Sequence, residues 1–549
     1  MRDGILKYAL ENAVSYDGQA NVGSVIGHVI KEHPEAKQDI DQLKQDVAAV
    51  VNDVNQLTQD EQRNKLQEIA PELLEDDEDD HDIFEQFSPE GDVVTAFPPE
   101  PSKYPHIGHA KSVVVNHEYA KRHDGTIILR FEDTNPENVE SHYYDIHQRD
   151  YDWLGIDFDN IDYASDHIDT YYDHCETLIN QGDAYVTTAS SDEISQMRRT
   201  SSPIPDRDKS VQDNLEDWHR MLDDELDAVV LAKIDLDHKN TTMRDPTLFR
   251  IIDEPHPRTG DTYHVWPTYD FANAVMDALE NITMRFRTKE FELRSELQRH
   301  LQERLDLTLT ATYEFARFEL EGVLTSGRKI RELVDQGELL GWDDPSLATL
   351  AALRRRGFTP EAIRTFVLNT GISKTESTVT WDDLIVCNRR VLDESAERYF
   401  YIDDPVKITI QGAPERDIEL HLDPNKKNGG RPMHVHDTFY IERDDYEALD
   451  DGGLYRFMEC LNFTKEGDDF VYHSTDYLEY KDDGDKIMHF LPVDETVEAT
   501  ILMPDKERRT GIAEANITTL NTGDVIQFER FGFARLDIDN NNTFWYTHD

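Results

Sequence analysis

The sequence predicts a multidomain α/β fold, with a helical N-terminal extension, a doubly wound nucleotide-binding core, a helical domain and a β-rich C-terminal region. Three observations carry this expectation. The chain has 549 residues, more than one hydrophobic core organises and enough for roughly three or four domains. A strand–loop–helix–strand order begins after Gly91, the opening of a doubly wound nucleotide-binding sheet. From about residue 400 the texture changes to short strands and turns, which is β-barrel texture.

Taken in order, residues 1–70 read as helices, because LKYALENAV and IDQLKQDVAAVVNDVNQL repeat apolar residues at three- and four-residue spacing. The run EDDEDDH at 75–81 reads as a solvated acidic linker, closing a helical extension over 1–85. Asp92–Phe97 predicts a buried strand, followed by a proline-rich loop and a helix from about Gly108 to His123. Thr126–Phe131 predicts the next strand and Val139–Leu154 the next helix. These belong to a catalytic core over 86–300, interrupted by an inserted α/β segment at about 165–265. Tyr263–Leu279 returns to strand, loop and helix. A helical domain is expected over 301–395, with RKIRELVDQGELLGW and PEAIRTFVLNTG as its clearest pieces. The segments VKITI, DIELHL, DTFYIE, VEATILM and DVIQFERFGFARLDI predict β-barrels over 396–549.

Composition narrows the function. Hydrophobic residues make up 38% of the chain, enough for several cores and too many for a disordered protein. Lys and Arg total 56 against 114 Asp and Glu, a net charge of -58, and the acids run along the whole length. Such a surface suits a halophile's cytoplasm, where salt near 1 M cuts the Debye length to about 3 Å and screens self-repulsion. Nucleic-acid binders are usually basic, so a nucleic-acid partner here requires locally concentrated cations. Cys175, Cys387 and Cys460 lie far apart with no CxxC pair, and neither a zinc site nor a disulfide framework is expected. No apolar run approaches the roughly 18 residues of a membrane span, and the start lacks the pattern of a signal peptide. The expected location is the cytoplasm.

The strongest chemical signal is PHIGHA, Pro105 to Ala110, between the first strand and the first helix. His106 and His109 stand three apart, so at a helix start they share a face. Backbone N–H groups and the positive helix end favour a phosphate there. Two imidazoles can add hydrogen bonds to a phosphoryl group as charge builds during displacement. Gly108, between them, is expected to let a flat base approach the backbone.

FPPEPSKYPHIGHAKS resembles the HIGH region of class I aminoacyl-tRNA synthetases, in their glutaminyl and archaeal glutamyl branch. The resemblance continues through ILRFEDTNPENVE, YDWLGI, WPTYDFANAVMDALENIT, FRTKEFELRSELQ, LTSGRKIRELVDQGELLGWDDPSL, LRRRGFTPEAIR and DVIQFERFGFARLD, in order from about 85 to 549. It implies a Rossmann-type class I catalytic domain with an inserted acceptor-binding domain, a helical bundle, C-terminal β-barrels that read the anticodon, and, more weakly, a known type of N-terminal helical extension. It also implies a glutamate–tRNA ligase of archaeal, and with this charge haloarchaeal, type. ATP activates L-glutamate, and the acyl group passes to the 3′ end of tRNA(Glu), with tRNA(Gln) as an alternative acceptor. Magnesium travels with ATP, no resident metal is implied, and a monomer is the family expectation.

By the same resemblance, His106, Gly108, His109, Arg328 and Lys329 are catalytic. Pro99, Glu100, Pro101 and Ser326 join His106, His109, Arg328 and Lys329 around ATP, with Glu100 at the tRNA acceptor end. Glu132 matches the carboxylate that holds the substrate ammonium, and Tyr269 matches the tyrosine that contacts the amino acid. Asp270 is expected to fix that loop. Arg287 occupies the place of an arginine found in glutamyl enzymes, and a cation there suits a side-chain carboxylate. LTSGRKI corresponds to the KMSKS loop, with Gly327 as a hinge. Arg431, Arg443, Arg530 and Arg535 are candidate anticodon contacts. The sequence departs from the family pattern at Ala96 (usually arginine), Met284 (usually histidine), Gly327 (usually lysine) and Ser346 (usually arginine). These departures keep two alternatives open: a glutaminyl-tRNA synthetase, and a tRNA-binding paralog with impaired catalysis.

Overall fold

The computed structural model of the chain describes residues 2–15, 18–32, 40–70, 82–423, 426, 429–537 and 541–549. The chain divides into two compact units, 1–88 and 89–549. The first unit contains α1 (Arg2–Ser15), α2 (Val22–Glu32), α3 (Ile40–Asn55) and α4 (Gln59–Ile69). Ile5, Leu10, Val25, Val29, Val47, Val54 and Leu66 pack into its core, as the three-and-four spacing requires. Thr58 and Glu61 form a reciprocal capping box at the start of α4, satisfying donors that a helix start leaves open. The acidic run 75–81 lies outside the described residues.

The second unit begins with β1 (Val94–Phe97), α5 (Ile107–Arg122), β2 (Thr126–Phe131), α6 (Ser141–Trp153) and β3 (Asn160–Tyr163). β1, β2 and β3 pair in parallel. The chain then leaves this sheet for α7 (Ile168–Gln181), β4 (Ala184–Thr187), α8 (Ser191–Thr200), α9 (Val211–Leu222), β5 (Val229–Ala232), β6 (Thr247–Ile251) and β7 (Val265–Pro267). β4 to β7 form an antiparallel sheet in sequence order, packed on Tyr171, Trp218, Phe249 and Trp266. α10 (Tyr269–Leu279) leads back to β8 (Met284–Thr288), and α11 (Glu292–Arg304) to β9 (Ala311–Phe315), which pairs with β8 in parallel.

Thr283 joins the two parallel pieces. Its backbone N–H donates to the Val94 carbonyl at 2.9 Å, and its hydroxyl accepts from the Val94 N–H at 2.9 Å. The resulting order is β3-β2-β1-β8-β9, with the reversal of winding between β1 and β8. Ligands of open α/β sheets sit at such a reversal, beyond the carboxyl ends of the strands. α5 covers one face through Ile107, Ala110, Val113 and Val114, and α10 lies over the other.

β10 (Phe318–Leu320), α12 (Gly327–Asp335), α13 (Leu350–Arg356), α14 (Pro360–Asn369), β11 (Ser377–Val379) and α15 (Trp381–Ser395) follow. The remainder is β-rich: where closed barrels are expected, the described residues form two seven-stranded sheets whose first and last strands share no ladder. The reason lies at their edges. In one sheet the edge strands are Glu397–Tyr399 and Tyr401–Ile402; in the other they are Lys486–Met488 and Leu491–Pro492. Each pair consists of successive short pieces of one segment, each pairing away from the other. The backbone of that one segment therefore joins the two edges of each sheet, and no ladder runs between its first and last strands. The sheet that contains Thr543–His548 is fastened to α13: Arg356 donates to the Thr547 carbonyl at 2.8 Å, and Arg355 bonds Asp537 at 2.9 Å and Asp343 at 2.8 Å.

Candidate active site

The turn after β1 is built by its own histidines. His106 is the N-cap of α5, its side chain accepting from the Gly108 N–H at 3.1 Å. His109 Nδ1 accepts from the His106 N–H at 3.1 Å. Both Nδ1 atoms are thus acceptors, which places the proton of each neutral ring on Nε2. The rings lie 4.0 Å apart between centroids. Burial, Lys103 and His147 pull His106 down to about 3, and burial with His106 holds His109 well below the ordinary imidazole value. The pair therefore presents two neutral N–H donors rather than two cations. Gly108 has a part in this arrangement. A Cβ there would stand 2.9 Å from Cε1 of His106, so glycine leaves room for the capping ring.

The turn is strapped to the start of α13 by the Ile107 N–H on the Ala348 carbonyl at 3.0 Å and the Leu350 N–H on the Pro105 carbonyl at 2.9 Å. A cleft opens here, lined by Lys103, Tyr104, His106, Gly327, Trp342 and Thr349 among others. Tyr104 stacks on Trp342 at 5.3 Å. Ser326 caps α12 by accepting from the Lys329 N–H at 3.5 Å. Gly327 is the first residue of that helix, and a Cβ on it would meet Cδ of Lys103 at 2.9 Å. Arg328 and Lys329 are exposed beside the cleft, Arg328 pairing with Glu332 at 3.2 Å. The structure thus brings the histidine turn and the Ser326–Lys329 segment together. In the proline-rich loop Pro99 and Pro101 are buried and Glu100 is exposed. The Pro99 carbonyl accepts from the Glu132 N–H at 3.0 Å, joining this loop to the next group of residues.

That group lies on the α10 face of the sheet. Glu132 follows β2, is 6% exposed, and takes hydrogen bonds on Oε1 from Arg130 Nε at 3.2 Å and Asn273 Nδ2 at 2.6 Å. Its Oε2 is buried without a partner. Burial pushes Glu132 up to about 7, against the pull of Arg130 and Arg285. Arg130 bonds Asp277 at 3.0 Å and Glu280 at 2.8 Å. Arg285 bonds the same Asp277 at 2.8 Å and the side-chain oxygen of Asn273. Glu132, Asn273, Arg285, Asp277 and Arg130 thus close a ring of hydrogen bonds, with one carboxylate oxygen left over.

Tyr269 opens α10 at this ring, half-buried, with its ring tilted against Phe291 at 5.5 Å between centroids. Asp270 ties α10 to α11 through Arg294 at 2.7 Å and Gln298 at 3.1 Å. Arg287 is 7% exposed and engaged on every nitrogen, by Gln298 at 2.7 Å, Glu314 at 3.4 Å and Ser295. Arg130, Asn273, Asp277 and Arg285 were not singled out by sequence. Asn273, Asp277 and Glu280 recur at i, i+4 and i+7 in ANAVMDALE, a polar stripe on an apolar helix that marks a buried polar site. Of the departures from the family pattern, Ala96 and Met284 are buried, and Ser346 bonds Asp344 through its hydroxyl at 2.5 Å and its N–H at 3.0 Å.

Three of the four C-terminal arginines are paired with acidic side chains. Arg431 is buried against Glu514 at 2.5 Å and lies over Phe400 at 4.4 Å. Arg530 pairs with Asp445 and Arg443 with Asp404. Arg431 is therefore committed to the interior. Among the described residues no group of three or more His, Cys, Asp or Glu side chains could hold a metal ion, and no helix is long and apolar enough to cross a membrane.

These features meet their counterparts in known proteins. Residues 92–394 match the family described as tRNA synthetases class I (E and Q), catalytic domain. Residues 396–477 and 476–537 match two anticodon-binding-domain families of the same synthetases. A glutamate–tRNA ligase of Pyrococcus furiosus is 38% identical over 97% of this chain and 96% of its own length. Those of Methanopyrus kandleri and Methanothermobacter thermautotrophicus are 38% and 37% identical, over 98% and 100% of this chain and 97% and 99% of theirs. With its catalytic domain and both anticodon-binding regions matched in order, the chain belongs to the class I tRNA synthetases of the E and Q type.

Proposed function

We propose that this protein is a glutamate–tRNA ligase, which joins glutamate to AMP at the expense of ATP and transfers the glutamyl group to the 3′ end of tRNA(Glu). The observation that carries the reading is the unpartnered Oε2 of Glu132, buried beside Tyr269 and two buried guanidiniums. An α-ammonium supplies the missing donor, and the guanidiniums suit a substrate with two carboxylates. The full-length likeness to glutamate–tRNA ligases supports the same substrate.

In the first step a carboxylate oxygen of the amino acid attacks the α-phosphorus of ATP and pyrophosphate leaves. Charge grows on the phosphoryl oxygens, where Nε2–H of His106 and His109 can donate without the cost of deprotonating a cation. Pro99, Glu100, Pro101 and Ser326 frame the nucleotide, and Arg328 and Lys329 meet the departing pyrophosphate. Magnesium enters as the ATP complex. In the second step a terminal ribose hydroxyl takes the acyl group and AMP leaves. The antiparallel insert is assigned to the acceptor stem and the C-terminal sheets to the anticodon, where unstacked bases are read. The four N-terminal helices serve as an accessory domain, and the site of action is the cytoplasm.

The test is charging of homologous total tRNA in about 2–3 M KCl, where the surface charge is screened, with labelled glutamate or glutamine. Charging with glutamate is the expected result. Charging with glutamine alone makes this a glutaminyl enzyme. Bound tRNA without charging by either amino acid makes it a binding paralog.

A further inference from the structure

Resting on the glutamate-activating reading above, the ring around Glu132 raises a question that reading leaves open: which cation receives the side-chain carboxylate. Two guanidiniums are available, two residues apart on β8. They differ in what already occupies them. Arg287 stands in register with Glu314 on β9, and Nε, Nη1 and Nη2 each have a partner. Arg285 stands in register with Thr312, which brings no charge. Its described hydrogen bonds all leave from Nη1, to Asp277 and Asn273, and Asp277 also serves Arg130. Nε and Nη2 carry none of them, although the residue is only 2% exposed. A guanidinium binds a carboxylate through two parallel N–H bonds, and Arg285 has such an edge uncommitted.

Depth separates the two. The strands run in parallel toward the edge at which the histidine turn and Glu132 lie. Arg285 is the second residue of β8 and Arg287 the fourth, so Arg285 lies deeper by about 6.6 Å of strand rise. The ammonium and the reacting carboxylate of an amino acid share one carbon. With the ammonium on Glu132, the reacting carboxylate stays at the mouth, near the phosphate and Arg287. The side chain then runs inward. Asn273, which bonds both Glu132 and Arg285, spans the two ends of that path. Ala96 and Ile128 are in register on β1 and β2, and Arg130, two residues on from Ile128, shares their face. The methyl of Ala96 contributes no polar group to it.

We propose that Arg285 is the specificity-determining residue that grips the side-chain carboxylate of the substrate, while Arg287, engaged by Glu314, Gln298 and Ser295, shapes the mouth of the pocket. The discriminating measurement is KM for glutamate, glutamine and ATP in tRNA charging by the full-length protein in concentrated KCl, for wild type, R285Q, R285K and R287Q. R285Q is expected to raise KM for glutamate by roughly 10- to 100-fold, the scale of a charge-assisted hydrogen bond. KM for ATP should stay unchanged, and the preference for glutamate over glutamine should fall by a similar factor. R287Q should weaken both amino acids alike. Unchanged glutamate KM in R285Q, or equal loss for glutamate and glutamine, overturns the assignment and leaves Arg285 a scaffold for Asp277. Thermal unfolding accompanies each variant. If R285Q does not fold, R285K carries the test, since lysine keeps the charge but lacks the fork: a glutamate KM raised about tenfold at constant ATP KM supports the assignment, and an unchanged one overturns it. Wild type separates the two levels of the argument. If it fails to charge glutamate, the glutamate-activating reading falls; if it charges glutamate and R285Q behaves like it, only the Arg285 assignment falls.

Discussion

Asn273 donates to Oε1 of Glu132 at 2.6 Å, while Oε2 of the same carboxylate is buried with no partner. With Arg130 Nε on the same oxygen at 3.2 Å, this amide holds the carboxylate in place and leaves half of it for something else. A buried polar atom without a partner costs about 1–3 kcal/mol, a cost that a bound ammonium relieves.

Glutamate binding should therefore be linked to a proton. Glu132 stands near 7 in the free protein because it is buried, and an ammonium on Oε2 favours the ionised form. Below pH 7 the incoming amino acid must expel a proton. KM for glutamate should fall as pH rises from about 5.5 and level off above about 7.5, approaching tenfold per pH unit on the acid side. Calorimetry in two buffers of different ionisation enthalpy reads the released proton directly. For folding of the free protein the sign is fixed by the raised value. Between 4.5 and about 7 the native state holds a proton that the unfolded chain has lost, so this group's contribution to stability declines as pH rises through that window.

The histidine turn should show no such titration. His106 stands at about 3 and His109 well below its ordinary value, so neither charges between pH 5.5 and 8. Replacing either by alanine should slow tRNA-dependent ATP–pyrophosphate exchange by roughly 100- to 1000-fold, the scale of a lost donor to developing charge. Glutamate KM should stay near wild type. A pH profile of exchange with an inflection that vanishes in H106A would contradict the neutral-donor role.

Arg431 should matter for stability rather than for reading tRNA. It is 2% exposed and its partner Glu514 is fully buried. R431A leaves that carboxylate uncompensated, and about 3–5 kcal/mol of unfolding free energy should be lost in denaturant titration. Protein that remains folded should keep its tRNA preference; a changed preference without lost stability would return Arg431 to the anticodon.

Salt should stabilise the whole molecule. With a net charge of -58, self-repulsion is large at 0.01 M salt, where the Debye length is about 30 Å, and is screened at 1 M, where it is about 3 Å. The midpoint of thermal unfolding should rise steadily from 0.1 to 2 M KCl. A midpoint that is flat or falling over this range would mean that the acidic surface has no role in salt adaptation.

Much of this molecule was legible along the chain. Apolar spacing over 1–70 announces the first helices, and DVVTAF followed by a proline-rich loop and PHIGHA announces the first strand and the histidine turn after it. These are local signals, set by backbone preferences and by capping within a few residues. The placing of Glu132 could be anticipated from RFED, because it follows a strand at the ligand edge of a parallel sheet. What the tertiary structure decided was which charges neutralise one another. Arg130, Asn273, Asp277 and Arg285 come from three elements and meet only when α10 folds over the sheet; Arg287 is spent on Glu314 through the register of β8 and β9; Arg431 turns inward to Glu514. Ion-pair energy depends on distance and on exclusion of water, and neither is written in sequence spacing when the partners sit on different elements, as Arg431 and Glu514 do 83 residues apart and Arg130 and Asp277 do 147 apart.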